Sequence, residues 1–195
     1  MGDAGDEIME ATYRALCEHG YADLTMQRIA DESDKSKAAL HYHYDTKEEL
    51  MQAFLEHVAD WFESELGTDA AEPQARVRSA VDAIFSPAQQ DRGEYATALL
   101  EIKAQAPYDD AFRERLRTLD ERLRKTVEEA VRDGIEQGVF EGADPEAVAR
   151  FVATATNGAH TREVALGEDP GKTRSLVESY LESELGISLD GEVRA

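Results

Sequence analysis

The chain has one cysteine, Cys17, in 195 residues. That excludes an internal disulfide and points to an intracellular setting. Its longest apolar runs are a few residues, far short of the roughly 20 that a membrane-spanning helix needs. The opening MGDAGDEIMEA is acidic and lacks a signal-peptide pattern, so a cytoplasmic location is expected. A glycine-rich phosphate loop, a nucleophile elbow and metal-ligand spacing are all missing. Their absence argues against an enzyme and predicts neither cofactor nor metal. No repeat, low-complexity segment or convincing alternating strand is found. Lysine is scarce, with six against 15 arginines.

What the chain has in excess is acid: 42 aspartates and glutamates against 21 lysines and arginines, a formal net charge of -21. The acidity is spread out, and residues 1–50 alone carry 12 acidic and 5 basic residues, a net of -7. A dispersed carboxylate coat with few lysines points to a halophilic protein. At 1 M salt the Debye length falls to about 3 Å, and self-repulsion is screened. Hydrophobic residues make up 42% of the chain, enough at this length to bury a core.

Apolar residues recur at helical spacing almost throughout. Ile8, Thr12, Ala15, Leu16 and His19 share a stripe, and Gly20 is placed to stop that helix. A short second helix is predicted from Thr25, whose hydroxyl can accept a first-turn N–H. Ile29 and Ala30 face inward, and the helix ends by Ser33–Asp34. A third runs from Ser36 to about Tyr44, with Leu40 and Tyr44 inward. Thr46 and Glu49 form a capping box. It opens a long helix along Leu50, Phe54, Val58, Trp61, Phe62 and Leu66, closed by Gly67-Thr68-Asp69. Five more helices follow. One runs from Pro73 to Ser86-Pro87, one over about 93–105, and one over 109–137. The eighth starts at Asp144-Pro145 and carries Val148, Phe151, Val152, Ala155 and Ala159 inward; the ninth covers about 172–185 and ends at Gly186. The tail 190–195 is expected to fray. The fold class is all-α, with about nine helices: an N-terminal helix-turn-helix domain over 1–50 and a helical domain over 51–195.

The scarce lysines gather near the N-terminus. KSKAALHYHYDTK, residues 35–47, holds Lys35, Lys37 and Lys47 together with His41, His43 and Tyr42. Two short helices joined by a tight turn make a helix-turn-helix, whose second helix enters the DNA major groove with its N-terminal residues at base edges. Here those residues are Lys37, Ala38 and Ala39. Lys37 can donate to guanine or to phosphate, and the alanines allow close approach. His41, Tyr42 and His43 lie further along. Thr25 with Gln27, Lys35 with Ser36, and Lys47 at the start of helix four complete the expected DNA-binding set, with phosphate sites at the helix starts.

The run LTMQRIADESDKSKAALHYHYDTKEEL resembles the DNA-binding domain of the TetR family of transcriptional repressors. Thr25, Ile29, Ala30, Ser36, Leu40, Tyr42, His43, Tyr44, Lys47, Glu48 and Leu50 match its signature. Asp34 and Lys35 in the turn, Ala38 and His41 depart from it. The resemblance implies a repressor, homodimeric through helices eight and nine, on a near-palindromic double-stranded operator. It also implies a small-molecule effector inside the C-terminal domain that shifts helix four and lowers DNA affinity.

Trp61, Phe62, Tyr95, Gln105, Tyr108, Phe112, Asn157 and His160 are candidates for the wall of that effector pocket. Glu101 and Arg162 belong to the same group. Each also fits plain core or surface. Ala155, Ala159, Tyr180 and Leu181 are candidates for the dimer interface. His41 and His43 do not share a helical face, which argues against a metal pair. The competing reading is an acidic helical interaction protein with a non-functional helix-turn-helix.

Overall fold

A computed structural model describes residues 4–66, 72–85 and 92–189, and side chains within those ranges except those of residues 4, 61–66, 84, 92–95 and 98. Among the described residues the chain forms nine helices and no strand. They are α1 (Ala4–Asp23), α2 (Met26–Asp31), α3 (Lys37–His43), α4 (Lys47–Leu66), α5 (Pro73–Phe85), α6 (Arg92–Gln105), α7 (Asp110–Glu136), α8 (Pro145–Leu166) and α9 (Gly171–Leu185). The expected stops at Gly67-Thr68-Asp69 and Ser86-Pro87, and the tail 190–195, lie outside the described residues.

Several helices, α2, α3, α4, α7 and α8 among them, begin where a side-chain oxygen takes a free N–H. Thr25 Oγ1 accepts from Arg28 N–H at 3.2 Å, Ser36 Oγ from Ala39 at 3.2 Å, Thr46 Oγ1 from Glu49 at 3.1 Å, and Asp144 Oδ1 from Glu146 at 3.0 Å. The capping box at Thr46 differs from expectation in one bond. The Glu49 carboxylate reaches Asp45 N–H, at 2.8 Å, one residue short of the cap. Helix α2 is also shorter than predicted, because Ser33 N–H turns back to Ala30 C=O at 3.1 Å. The connection to α3 is therefore Glu32 to Ser36.

The chain divides into two compact units, Met1–Ala59 with Gln90–Leu119 and Asp60–Gln89 with Asp120–Ala195. In the first, α1 packs on α2 and α6, and α2 on α3. Its core joins Ile8, Leu16, Ile29, Leu40, Leu50, Phe54, Ile102 and Phe112, all buried. Burying one such side chain contributes about 1.5–3 kcal/mol. In the second unit α9 packs on α8 and α5. Val127, Val131, Val148, Val177 and Leu181 are buried there. Gly134 on α7 lets the chain fold back: Val139 and Phe140 N–H both donate to its carbonyl, and a Cβ added to it would stand 2.1 Å from the Phe140 ring.

One core expectation is corrected. Phe151 is 40% exposed, because it lies on the outer side of α8 with its ring 4.0 Å from that of Tyr180 on α9.

Candidate nucleic-acid interface

The helix expected to enter the groove is α3, set on α2 by a five-residue turn and pinned to the core by Leu40. Lys37 and Ala38 are exposed and Ala39 is half-buried, so one side of the first turn of α3 is open. His41, Tyr42 and His43 are exposed, Tyr42 to 86%. The Tyr42 and His43 rings meet edge to face at 5.3 Å. Thr25 and Ser36 hold the starts of α2 and α3, so their hydroxyls serve as caps. Gln27 donates to Asp31 Oδ1 at 2.8 Å, one turn along α2.

The three lysines of the 35–47 run have three different environments. Lys37 makes no ion pair or side-chain hydrogen bond with any described residue. Lys35 is ion-paired with Glu7 of α1 at 2.7 Å, and that hydrogen bond and charge raise its pKa. Lys47 turns inward. Its Nζ donates to the Tyr21 carbonyl at 3.3 Å and sits 4.4 Å above the centre of the Tyr21 ring. Among the described residues, the three lysines of this run are thus one without a side-chain partner and two with one. The phosphate site expected at the start of α4 is also altered, because Glu48 and Glu49 occupy its first turn and Thr46 takes an N–H.

Tyr21 is the residue beside the expected site that the sequence pattern did not single out. Gly20 adopts φ 71° and ψ 167°, a conformation nearly confined to glycine, and breaks α1 there. The break frees Tyr21 N–H, which donates to Oε2 of Glu101 on α6. A Cβ on residue 20 would stand 2.7 Å from that oxygen. The Tyr21 ring packs edge-on against Phe112 of α7 at 5.8 Å. Burial, then the charges of Glu48 and Asp109, push the Tyr21 hydroxyl pKa up. The available signal was Gly20 itself, since a glycine stop releases the next N–H and needs an acceptor.

The expected pocket residues fall in both units. Of the first unit's members, Phe112 is wholly buried in the core and Tyr108 is 88% exposed. Gln105 donates to the Glu101 carbonyl at 3.2 Å, one turn back. In the second unit Asn157 is exposed and His160 half-buried on α8. The side chains of Trp61, Phe62 and Tyr95 lie outside the described residues. Glu101 and Arg162 have structural partners, Tyr21 and Glu168. A cavity of about 510 Å³ lies between α5 and α9, lined by Arg78, Asp82, Arg174, Ser175, Glu178 and Glu182 among others; none of the expected pocket residues lines it.

Of six large apolar side chains exposed among the described residues, three are on α8 and α9: Phe151, Leu166 and Leu176. Phe151 and Leu166 lie fifteen residues apart on α8, about 22 Å along its axis. Ala159 and Leu181 are instead buried within the second unit.

Comparison with known proteins agrees with this geometry. Residues 8–54 match the model of bacterial regulatory proteins of the tetR family, and residues 73–186 match that of the BetI-type transcriptional repressor C-terminal domain. A TetR transcription regulator from Haloarcula marismortui, known from its crystal structure, is 42% identical. The match covers 93% of this chain and 97% of that one, with a TM-score of 0.82. The HTH-type transcriptional regulator BetI of Brucella canis is 27% identical over 97% of this chain and 93% of its own length. A putative regulator from Saccharomonospora viridis, solved in complex with choline, is 21% identical and has the same fold, with a TM-score of 0.75 over 93% of this chain and 97% of that one.

Proposed function

Because this chain belongs to the TetR family of transcriptional regulators, we propose that it is a homodimeric repressor that a small molecule releases from a near-palindromic operator. The observation that carries the reading is the open first turn of α3, with Lys37 uncommitted beside Ala38 and capped by Ser36. Lys37 reads a base edge or phosphate, and Tyr42, His41 and His43 extend the contact along the same helix. The exposed apolar side chains of α8 and α9 supply the self-complementary patch that a two-fold dimer needs. The effector binds in the helical domain, residues 51–195, and favours a state in which the two α3 helices no longer match adjacent half-sites. The choline complex of the Saccharomonospora viridis regulator makes choline a sensible first compound in an effector screen.

Salt adaptation supports the same picture. The net charge of -21 and the relative from Haloarcula marismortui point to a protein that works in concentrated salt. Counterion release then contributes little to DNA affinity. Shape fit and direct hydrogen bonds contribute more.

The test is fluorescence anisotropy with duplex DNA from upstream of the protein's own gene, against a scrambled duplex, at low salt and at about 2 M KCl. The expected result is saturable binding that prefers the upstream duplex, by a species of dimer mass in light scattering. Equal binding to both duplexes at every salt, by a folded dimer, would favour the interaction-protein reading.

A further inference from the structure

The cavity between α5 and α9 lies wholly in the second unit. At about 510 Å³ it has the size of a small-molecule site, but such sites are mostly apolar. Here only Val81 and Leu189 are apolar; the other lining side chains are charged or carry a hydroxyl.

The two helices run antiparallel along it. Gln74, at the start of α5, donates to the Ser188 carbonyl just beyond α9. Arg174, near the start of α9, pairs with Asp82, near the end of α5, and its Nε donates to Glu178 Oε1 at 2.8 Å. Between these two ties, Arg78 of α5 stands across from Glu178 and Glu182 of α9. Arg78 nevertheless makes no ion pair or side-chain hydrogen bond with any described residue. Glu182 accepts Leu189 N–H at Oε1, at 2.7 Å, and a carboxylate has acceptor sites beyond that one. Where these helices could close a second ion pair, they leave a gap instead, with a guanidinium on one wall and carboxylates on the other.

Such a gap suits a molecule that carries both charges. A guanidinium takes a carboxylate through two parallel hydrogen bonds, and a carboxylate takes an ammonium. Three lining carboxylates against two guanidiniums leave a surplus of negative charge. No aromatic side chain among the described residues lines the cavity, so a quaternary ammonium such as choline would lack the ring faces that hold such cations. Leu176 and Tyr180, each two residues from Glu178, lie roughly 160° around α9 from it. A partner seated on that apolar side of α9 leaves the cavity open.

We propose that the cavity between α5 and α9 binds an amino-acid zwitterion, its carboxylate on Arg78 and its ammonium on Glu182, with a basic amino acid favoured by the surplus of carboxylates. None of the residues expected to wall the effector pocket lines this cavity, so it is a second site. It stands whether or not the chain is a repressor, and its test uses no DNA.

The test is isothermal titration calorimetry of the full-length protein with L-lysine at about 0.2 M KCl. Titration to about 20 mM saturates a site of millimolar affinity. The expected result is saturable heat with one site per protomer. Cadaverine, which is L-lysine without its carboxylate, should bind at least about tenfold more weakly, and Arg78→Gln should weaken L-lysine by about as much. Glu182→Gln, which keeps an acceptor for Leu189 N–H, should also weaken it. Choline should not displace L-lysine. At about 2 M KCl the affinity for L-lysine should fall, because the charges at an open site are screened.

Absence of saturable heat overturns the proposal. So does L-lysine binding that is unchanged in Arg78→Gln, since the ligand then lies elsewhere. Equal affinity for cadaverine and L-lysine overturns it too, because the carboxylate is then no anchor. Arg78 is exposed, so Arg78→Gln is expected to fold, which circular dichroism checks. Should it not fold, the cadaverine comparison on wild-type protein decides.

Discussion

On α3, Lys37 extends into solvent without a described partner; at the start of α4, Lys47 lies over the Tyr21 ring and donates to its carbonyl. The two residues are the same amino acid in the same short run, yet their surroundings give them different work. Lys37 makes no contact of this kind with a described residue, while Lys47 directs one donor to the Tyr21 carbonyl and lies over its ring. Lys35, held by Glu7, belongs with Lys47 in this respect. The cationic cluster of a protein with net charge -21 is narrower on the folded surface than in the sequence.

The sharpest way to break this contrast is Lys37→Ala. Removing a base-contacting lysine from both half-sites should cost about 2–6 kcal/mol, roughly 30-fold or more in operator affinity. Anisotropy should show this while light scattering still shows a dimer. An unchanged affinity would leave α3 without a recognition role.

Gly20→Ala attacks the Tyr21 joint from the backbone while leaving Lys47 in place. Strain at φ 71° and the Cβ approaching Glu101 should destabilise the fold by about 1–3 kcal/mol and lower operator affinity as well. Thermal melts with parallel anisotropy would check both. Gly134→Ala is the matching control in the second unit. Its Cβ would run into the Phe140 ring, so it should cost about 1–3 kcal/mol of stability. In folded protein it should leave DNA affinity within about twofold. If it weakens DNA binding as much as Gly20→Ala does, the effect at Gly20 is general instability.

The smallest effect is expected from Lys35→Met. Its ion pair with Glu7 is partly solvent-exposed on both sides, and such pairs contribute little to stability, less in salt. Melting temperature and operator affinity should both stay close to wild type. A large loss of affinity would move Lys35 into the company of Lys37.

What could be read in advance depended on distance along the chain. Thr25, Ser36, Thr46 and Asp144 were legible as caps because a cap and its N–H lie within a few residues. The stripe of Ile8, Thr12, Ala15, Leu16 and His19 was legible because the helical period alone puts those residues on one side; the first four are buried and His19 is half-buried. Period says which residues share a face; it does not name the face that meets them. Lys47 finds Tyr21 26 residues away, and Glu101 finds it 80 residues away. Neither partner has a local signature. Phe151 failed for a related reason, since α8 has apolar residues on two sides and the period does not say which side is covered. The candidate pocket was least legible, because an aromatic residue such as Phe112 looks the same in sequence whether it lines a cavity or fills a core.

The single open lysine at the start of α3 also bears on how such a protein would search a genome. Proteins with many exposed cations linger on any DNA and slide along it, held by phosphates alone. A surface this acidic, with Lys37 as the uncommitted lysine of its 35–47 run, gives non-operator DNA little to hold. Such a protein would arrive at an operator by repeated collisions from solution, and its time on other sequences would be short. Operator occupancy would then follow protein copy number closely, with few molecules stored on the rest of the chromosome.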